Sequence, residues 1–194
     1  AGGWWRGEVV GVWGGAGAVG GWRGRGGGCR VGVGWGGGGG GALRGVATWR
    51  WLSAGELGRG VPGTYGSILE TMRHLVGADS SYLFALTGGR IPVIDEDQMD
   101  LPELRTAMEG NGAAWSSLLA QDLDPDSVVV RHRDDGSESH APMGVRLAQA
   151  LHHGTDHRSQ ACTALTTFAV EPPAIDGWDL AAEDGRLVEI PPSS

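Results

Sequence analysis

No lysine occurs among the 194 residues, and all 15 basic side chains are arginine. The two cysteines, Cys29 and Cys162, form neither a disulfide framework nor a metal-binding motif, which points to a reducing, cytoplasmic setting. No apolar run approaches the ~20 residues that a membrane-crossing helix needs. No basic start followed by an apolar core and a small-residue cleavage site marks a secretory leader. The expectation is a protein without a membrane partner. Positive charge is scarce as well. The formal net charge of -8 argues against nucleic acid, whose phosphates demand a basic surface. What remains is a chain long enough for one domain with a real core.

The first 50 residues lack more. They contain no Asp, Asn, His, Ile, Phe, Tyr, Ser, Pro, Met or Gln, and their one acidic residue is Glu8. They hold 22 of the 37 glycines, six of the nine tryptophans and six arginines, so this segment is +5 while residues 51–194 are -13. Each glycine costs about 1 kcal/mol in a helix relative to Ala. The run Gly36–Gly41 offers nothing to pack. GxGxxG-like matches here have no strand–turn–helix context, so no nucleotide cofactor is inferred. Three readings apply: a Gly/Trp/Arg-rich binding arm, a flexible tail, or a stretch translated from the wrong frame of GC-rich DNA. The narrow residue set favours the last. The expected organisation is an atypical, irregular segment over 1–50, a helical unit over 51–170 and a tail over 171–194.

Ordinary globular sequence begins near Trp51. Leu52–Leu57 has the character of a helix start, and Val61–Gly66 reads as a turn. Ser67-Ile68-Leu69-Glu70 is a capping box, so a helix is predicted from there to about Leu86, stopped by Gly88-Gly89. A second helix is predicted from about Asp100, with Pro102 in its first turn, Glu103 three residues on, and Pro125 as its end. Val128–Val130 is short and β-branched. With the turn Asp134-Asp135-Gly136-Ser137 and the segment Glu138–Ala141 it predicts a hairpin. A last helix follows over about Gly144–Phe168.

That last helix carries His153 and His157. Two histidines four apart on a helix share one face, with Cβ atoms roughly 6 Å apart, which lets two imidazoles hold one metal ion. The same stripe carries Ala150, Ala161, Ala164 and Phe168, so the pair faces an interior of mostly small residues, while His152 and Cys162 point away. The plainer reading, a buried pair satisfied by hydrogen bonds, stands beside the metal reading. His74 falls at the edge of its helix stripe, and the wheel leaves open whether it faces a neighbour or solvent. His132 and His140 read as exposed hairpin residues. The acidic cluster Asp95, Glu96 and Asp97 reads as a solvated face, since neighbours in a loop converge poorly on a metal. Gly154 stands where a zinc protease has the glutamate that serves as general base, so that motif is excluded.

GTYGSILETMRHLVGADSSYL (63–83) resembles the second helix of the DinB-like family, the DinB/YfiT superfamily of metalloenzymes. LAQALHHGTDHRSQACTAL (147–165) resembles its last helix, whose H-x-x-x-H-R-x-Q pattern is met by His153, His157, Arg158 and Gln160. The hairpin before that helix and the Glu171-Pro172-Pro173 exit also fit, and the resemblance covers about residues 51–180. It implies an all-α four-helix bundle with a short β-hairpin before the last helix. The first helix would be missing here or replaced by the Gly/Trp-rich segment. It also implies a divalent metal held by one histidine of the second helix and two of the last, by position His74, His153 and His157. Zinc, nickel, iron and manganese are not distinguished, and no catalytic residue is assigned. Members include thiol-dependent S-transferases and a mycothiol-dependent isomerase. The expected function is accordingly a transferase or isomerase using a low-molecular-weight thiol on a small-molecule substrate. Its setting would be the cytoplasm of a bacterium, and a homodimer is left open. The alternatives are another metal-dependent reaction such as hydrolysis, or a metal binder without catalysis.

Overall fold

The computed structural model describes residues 11–13, 18–20, 52–173, 175, 177–183, 185–190 and 192. In the first 50 residues these include one pair of antiparallel three-residue strands, β1 (Gly11–Trp13) and β2 (Ala18–Gly20). The rest of that segment, and with it the expectation of irregular structure or a missing first helix, lies outside the described residues.

From residue 52 onward the chain is mostly helical. The one-turn α1 (Ala54–Leu57) is followed by α2 (Ile68–Leu86) and α3 (Leu101–Leu119). The hairpin β3 (Val128–His132) and β4 (Glu138–Pro142) leads directly into α4 (Met143–Thr167), and α5 (Gly177–Glu183) lies in the tail. The helix starts follow from the sequence. At α2 the Ser67 hydroxyl accepts from Glu70 N at 3.2 Å, and Glu70 Oε2 accepts from Ser67 N at 2.7 Å. At α3 Asp100 and Glu103 exchange the same two bonds, and at α1 Ser53 and Glu56 do so. Each box satisfies two of the donors a helix start leaves unpaired. At the far end of α2, Gly88 and Gly89 adopt φ +63° and +82°. Gly89 N donates to Phe84 O at 2.8 Å, a closing turn that side chains with a Cβ rarely tolerate. Helix α3 stops at Leu119, before Pro125 is reached.

The hairpin pairs Val128 with Pro142, Val130 with His140 and His132 with Glu138. Gly136, at φ +81°, makes its turn. Arg146 of α4 fastens the hairpin to the helix, its guanidinium donating to Val129 O at 3.1 Å and Ser139 O at 2.7 Å.

Helix α2 is the shared wall of two apolar clusters. Near its C-terminal half, Leu83 and Leu86 pack with Trp115, Leu118, Leu119, Met143 and Ala150. Near its N-terminal half, Ile68, Met72, Leu75 and Val76 pack with Leu104, Ala164 and Leu165. Helices α2 and α4 run antiparallel, since Tyr65, just before α2, meets Gln160 while Tyr82 meets His153. The seam between these two helices, midway between the clusters, is where the chemistry-bearing side chains gather. Among the described residues no helix is long and apolar enough to cross a membrane.

Candidate metal centre

Three imidazoles meet in the α2–α4 seam. His74, His153 and His157 each present one ring nitrogen, and these three atoms lie within 4.8 Å of one another. The ring centroids are separated by 4.5 Å for His153–His157, 4.7 Å for His74–His157 and 4.9 Å for His74–His153. The wheel ambiguity of His74 resolves inward, toward α4. Small side chains leave the space: on the α4 stripe Ala150, Gly154, Ala161 and Ala164 are all buried.

His74 Nε2 and His153 Nε2 face each other at 2.9 Å. Two nitrogens bound tetrahedrally to one zinc, each ~2.0–2.1 Å from it, stand about 3.3 Å apart, so the observed spacing is within a few tenths of an ångström of a shared ion. Two of the rings, His153 and His74, are also held in the protonation state that binding requires. Burial pushes His153 down to about 4, helped by His157 and His74 and opposed by Asp156. Burial, then His157, also lowers His74. Both are therefore neutral near pH 7, as ligands must be. The donor set, three imidazole nitrogens in a partly buried seam, fits a divalent transition metal.

The surroundings are aromatic and polar. The chain has two tyrosines, and both stand at this site. Tyr65, 55 % exposed, stacks on His74 with centroids 4.2 Å apart and meets His157 edge-on at 5.1 Å. Tyr82 meets His153 at 5.8 Å. Gln160 Oε1 accepts from Tyr65 N at 2.7 Å and lies 3.3 Å from His157 Nδ1. Gln160 Nε2 donates to Asp156 Oδ2 at 3.0 Å. His153 Nδ1 is buried without a hydrogen-bond partner. Beside the site, Arg158 folds back over Gly154, where an added Cβ would stand 2.8 Å from its Nη1, and it donates to Thr155 Oγ1 at 3.2 Å. The place where a zinc protease keeps its glutamate is thus occupied by a guanidinium. Asp79 of α2 is raised to about 7 by burial, an effect that Arg158 only partly offsets.

The other candidates fall elsewhere. His152 is exposed. His132 and His140 lie on the hairpin surface, where Glu138 accepts from both, at 3.0 Å from His132 Nδ1 and 2.7 Å from His140 Nε2. Asp95 and Asp97 are exposed, and the cluster they form with Glu96 does not converge on a common point. Cys162 points toward Pro173 O, away from the histidines. Sequence patterns missed Tyr65 and Tyr82, because a turn residue and a residue two turns beyond His74 on α2 carry no metal signature. A scan of protein-family models and a search of curated proteins returned no match to this chain.

Proposed function

We propose that this chain is a DinB-like four-helix-bundle metalloprotein, with one divalent ion held by His74, His153 and His157, that works as a transferase or isomerase using a small thiol. The observation that carries the proposal is the convergence of three imidazoles from two helices, His74 and His153 lying 79 residues apart in sequence. When bound, such an ion keeps positions open beyond its three histidines and, as a Lewis acid, favours the thiolate over the thiol. The chain's own residues supply the rest. His74 and His153 stay neutral because they are desolvated. Tyr65 covers one side of the cluster and limits water there.

One observation favours thiol chemistry over hydrolysis. Among the described residues no carboxylate joins the three ring nitrogens, and Asp156 is exposed and engaged with Gln160. A divalent ion on three imidazoles lowers the pKa of bound water as well, but protease-type hydrolysis also uses a carboxylate as general base, whereas a thiol with pKa about 8.5 needs only nearby positive charge. The acceptor is then a small electrophile, and the setting cytoplasmic. The test adds candidate thiols to the metal-loaded protein. Close to one proton should be released per site near neutral pH. Hydrolysis of an ester without any thiol, and no proton release with one, would instead assign a hydrolase.

A further inference from the structure

Gln160 touches both a candidate ligand and the segment covering it, and its orientation follows from a single backbone donor. Tyr65 N–H can only donate, so the Gln160 atom 2.7 Å away is its amide oxygen. That same oxygen faces His157 Nδ1 at 3.3 Å, so Nδ1 carries the proton. The other ring nitrogen, Nε2, is then left with its lone pair free for an ion. The amide nitrogen of Gln160 necessarily points the other way and donates to Asp156 Oδ2 at 3.0 Å. Polarity thus runs unbroken from the Asp156 carboxylate through the Gln160 amide to the His157 ring and the Tyr65 backbone.

We infer that Gln160, oriented by Asp156, is a positioning residue that holds His157 in the Nδ1–H tautomer with Nε2 free to bind metal, and fixes the Tyr65 segment over the site. This rests on the metal reading for its purpose but not for its geometry. A ligating imidazole normally needs such an outer partner to set its tautomer and ring angle, and loss of the partner typically weakens metal binding 10–100-fold. His153, whose Nδ1 has no partner, lacks this support. His157, by contrast, has such a partner in Gln160. Through Gln160 the Tyr65 segment shares the same acceptor, so the cover and the ligand are set together. The Thr64 hydroxyl, donating to Val61 O at 2.7 Å or Gly66 O at 2.8 Å, stiffens that segment from within.

The experiment has two readouts. In metal-free protein at pH 8, long-range ¹H–¹⁵N correlation spectra of the histidine rings report the tautomer of His157 without any metal. The expected result is the Nδ1–H form in the wild type and a tautomer mixture in Gln160→Leu, which can neither accept nor donate. Zinc titration should then show a Kd about 10–100-fold weaker for Gln160→Leu at unchanged helix content. The double variant Gln160→Glu with Asp156→Asn restores the same polarity, with a carboxylate accepting from His157 and Tyr65 and an amide donating to it. It should recover most of the affinity and the single tautomer. A wild-type His157 in the Nε2–H form, or a Gln160→Leu protein with wild-type tautomer and affinity, overturns the inference. If the wild type shows the Nδ1–H form but takes up no zinc, the positioning chain stands and the metal reading fails, so the two are told apart.

Discussion

Acid should destabilise the metal-free protein through His153 in particular, and the size of the effect can be worked from its surroundings. In the unfolded chain an imidazole takes up its proton near pH 6.5, while in the folded seam His153 does so only near 4. Between these values the unfolded state holds one proton more. Stability therefore rises with pH across this window and is lost as pH falls through it. A drop from 6.5 to about 4 corresponds to about 3 kcal/mol of differential interaction, and halving this for solvent around a half-buried ring leaves about 1.5–2 kcal/mol. His74 acts in the same direction. Asp79 acts oppositely: its raised carboxyl keeps a proton in the folded state up to about pH 7, so its contribution is lost as pH rises. The difference between wild type and His153→Gln isolates the first effect. Urea unfolding followed by circular dichroism, with chelator present, at half-unit steps from pH 7.5 to 4.5 is the assay. The variant should gain about 1.5–2 kcal/mol relative to wild type between the two ends of that range. Parallel curves for the two proteins would refute the desolvated-seam argument.

Three further outcomes are expected. Asp79→Asn should stabilise the protein at pH 8 by on the order of 1–3 kcal/mol, with the gain shrinking toward pH 5, because the amide avoids a desolvated charge; equal stability at both pH values in a urea titration would contradict this. Ser67→Ala should cost about 0.5–2 kcal/mol by removing the α2 cap, read as a shift in urea midpoint at constant m value. Leu83→Ala, at a fully buried position against Trp115, should cost about 2–5 kcal/mol in the same assay without altering zinc stoichiometry in the folded protein.

The helix starts were legible because capping is local. Ser67 with Glu70 and Asp100 with Glu103 sit three residues apart, and the structure shows the same reciprocal bonds. The hairpin was equally legible from Gly136 and the β-branched run before it. Spacing also put His153 and His157 on the buried stripe with Ala150, Ala161 and Ala164. His74 was a different matter. Its place at the edge of the α2 stripe is compatible with solvent or with a neighbour, and the antiparallel packing of α4 decides for the latter. The Tyr65–Gln160 bond joins residues 95 apart and depends on the crossing of two helices, which no window along the chain contains. The short α5 in the tail was not foreseen, since seven residues are too few to show a helical period.

The measurement that bears most directly on the central claim is the zinc content and affinity of the 194-residue chain and its single-histidine variants. Purified protein, stripped with chelator and titrated with zinc in competition with a chromophoric chelator, should take up one ion per chain. His153→Ala and His157→Ala should each abolish stoichiometric binding, His74→Ala should lose full occupancy, and His152→Ala should match the wild type. A wild-type chain that binds no ion, or a His74→Ala protein that keeps full metal content, would contradict the three-histidine centre.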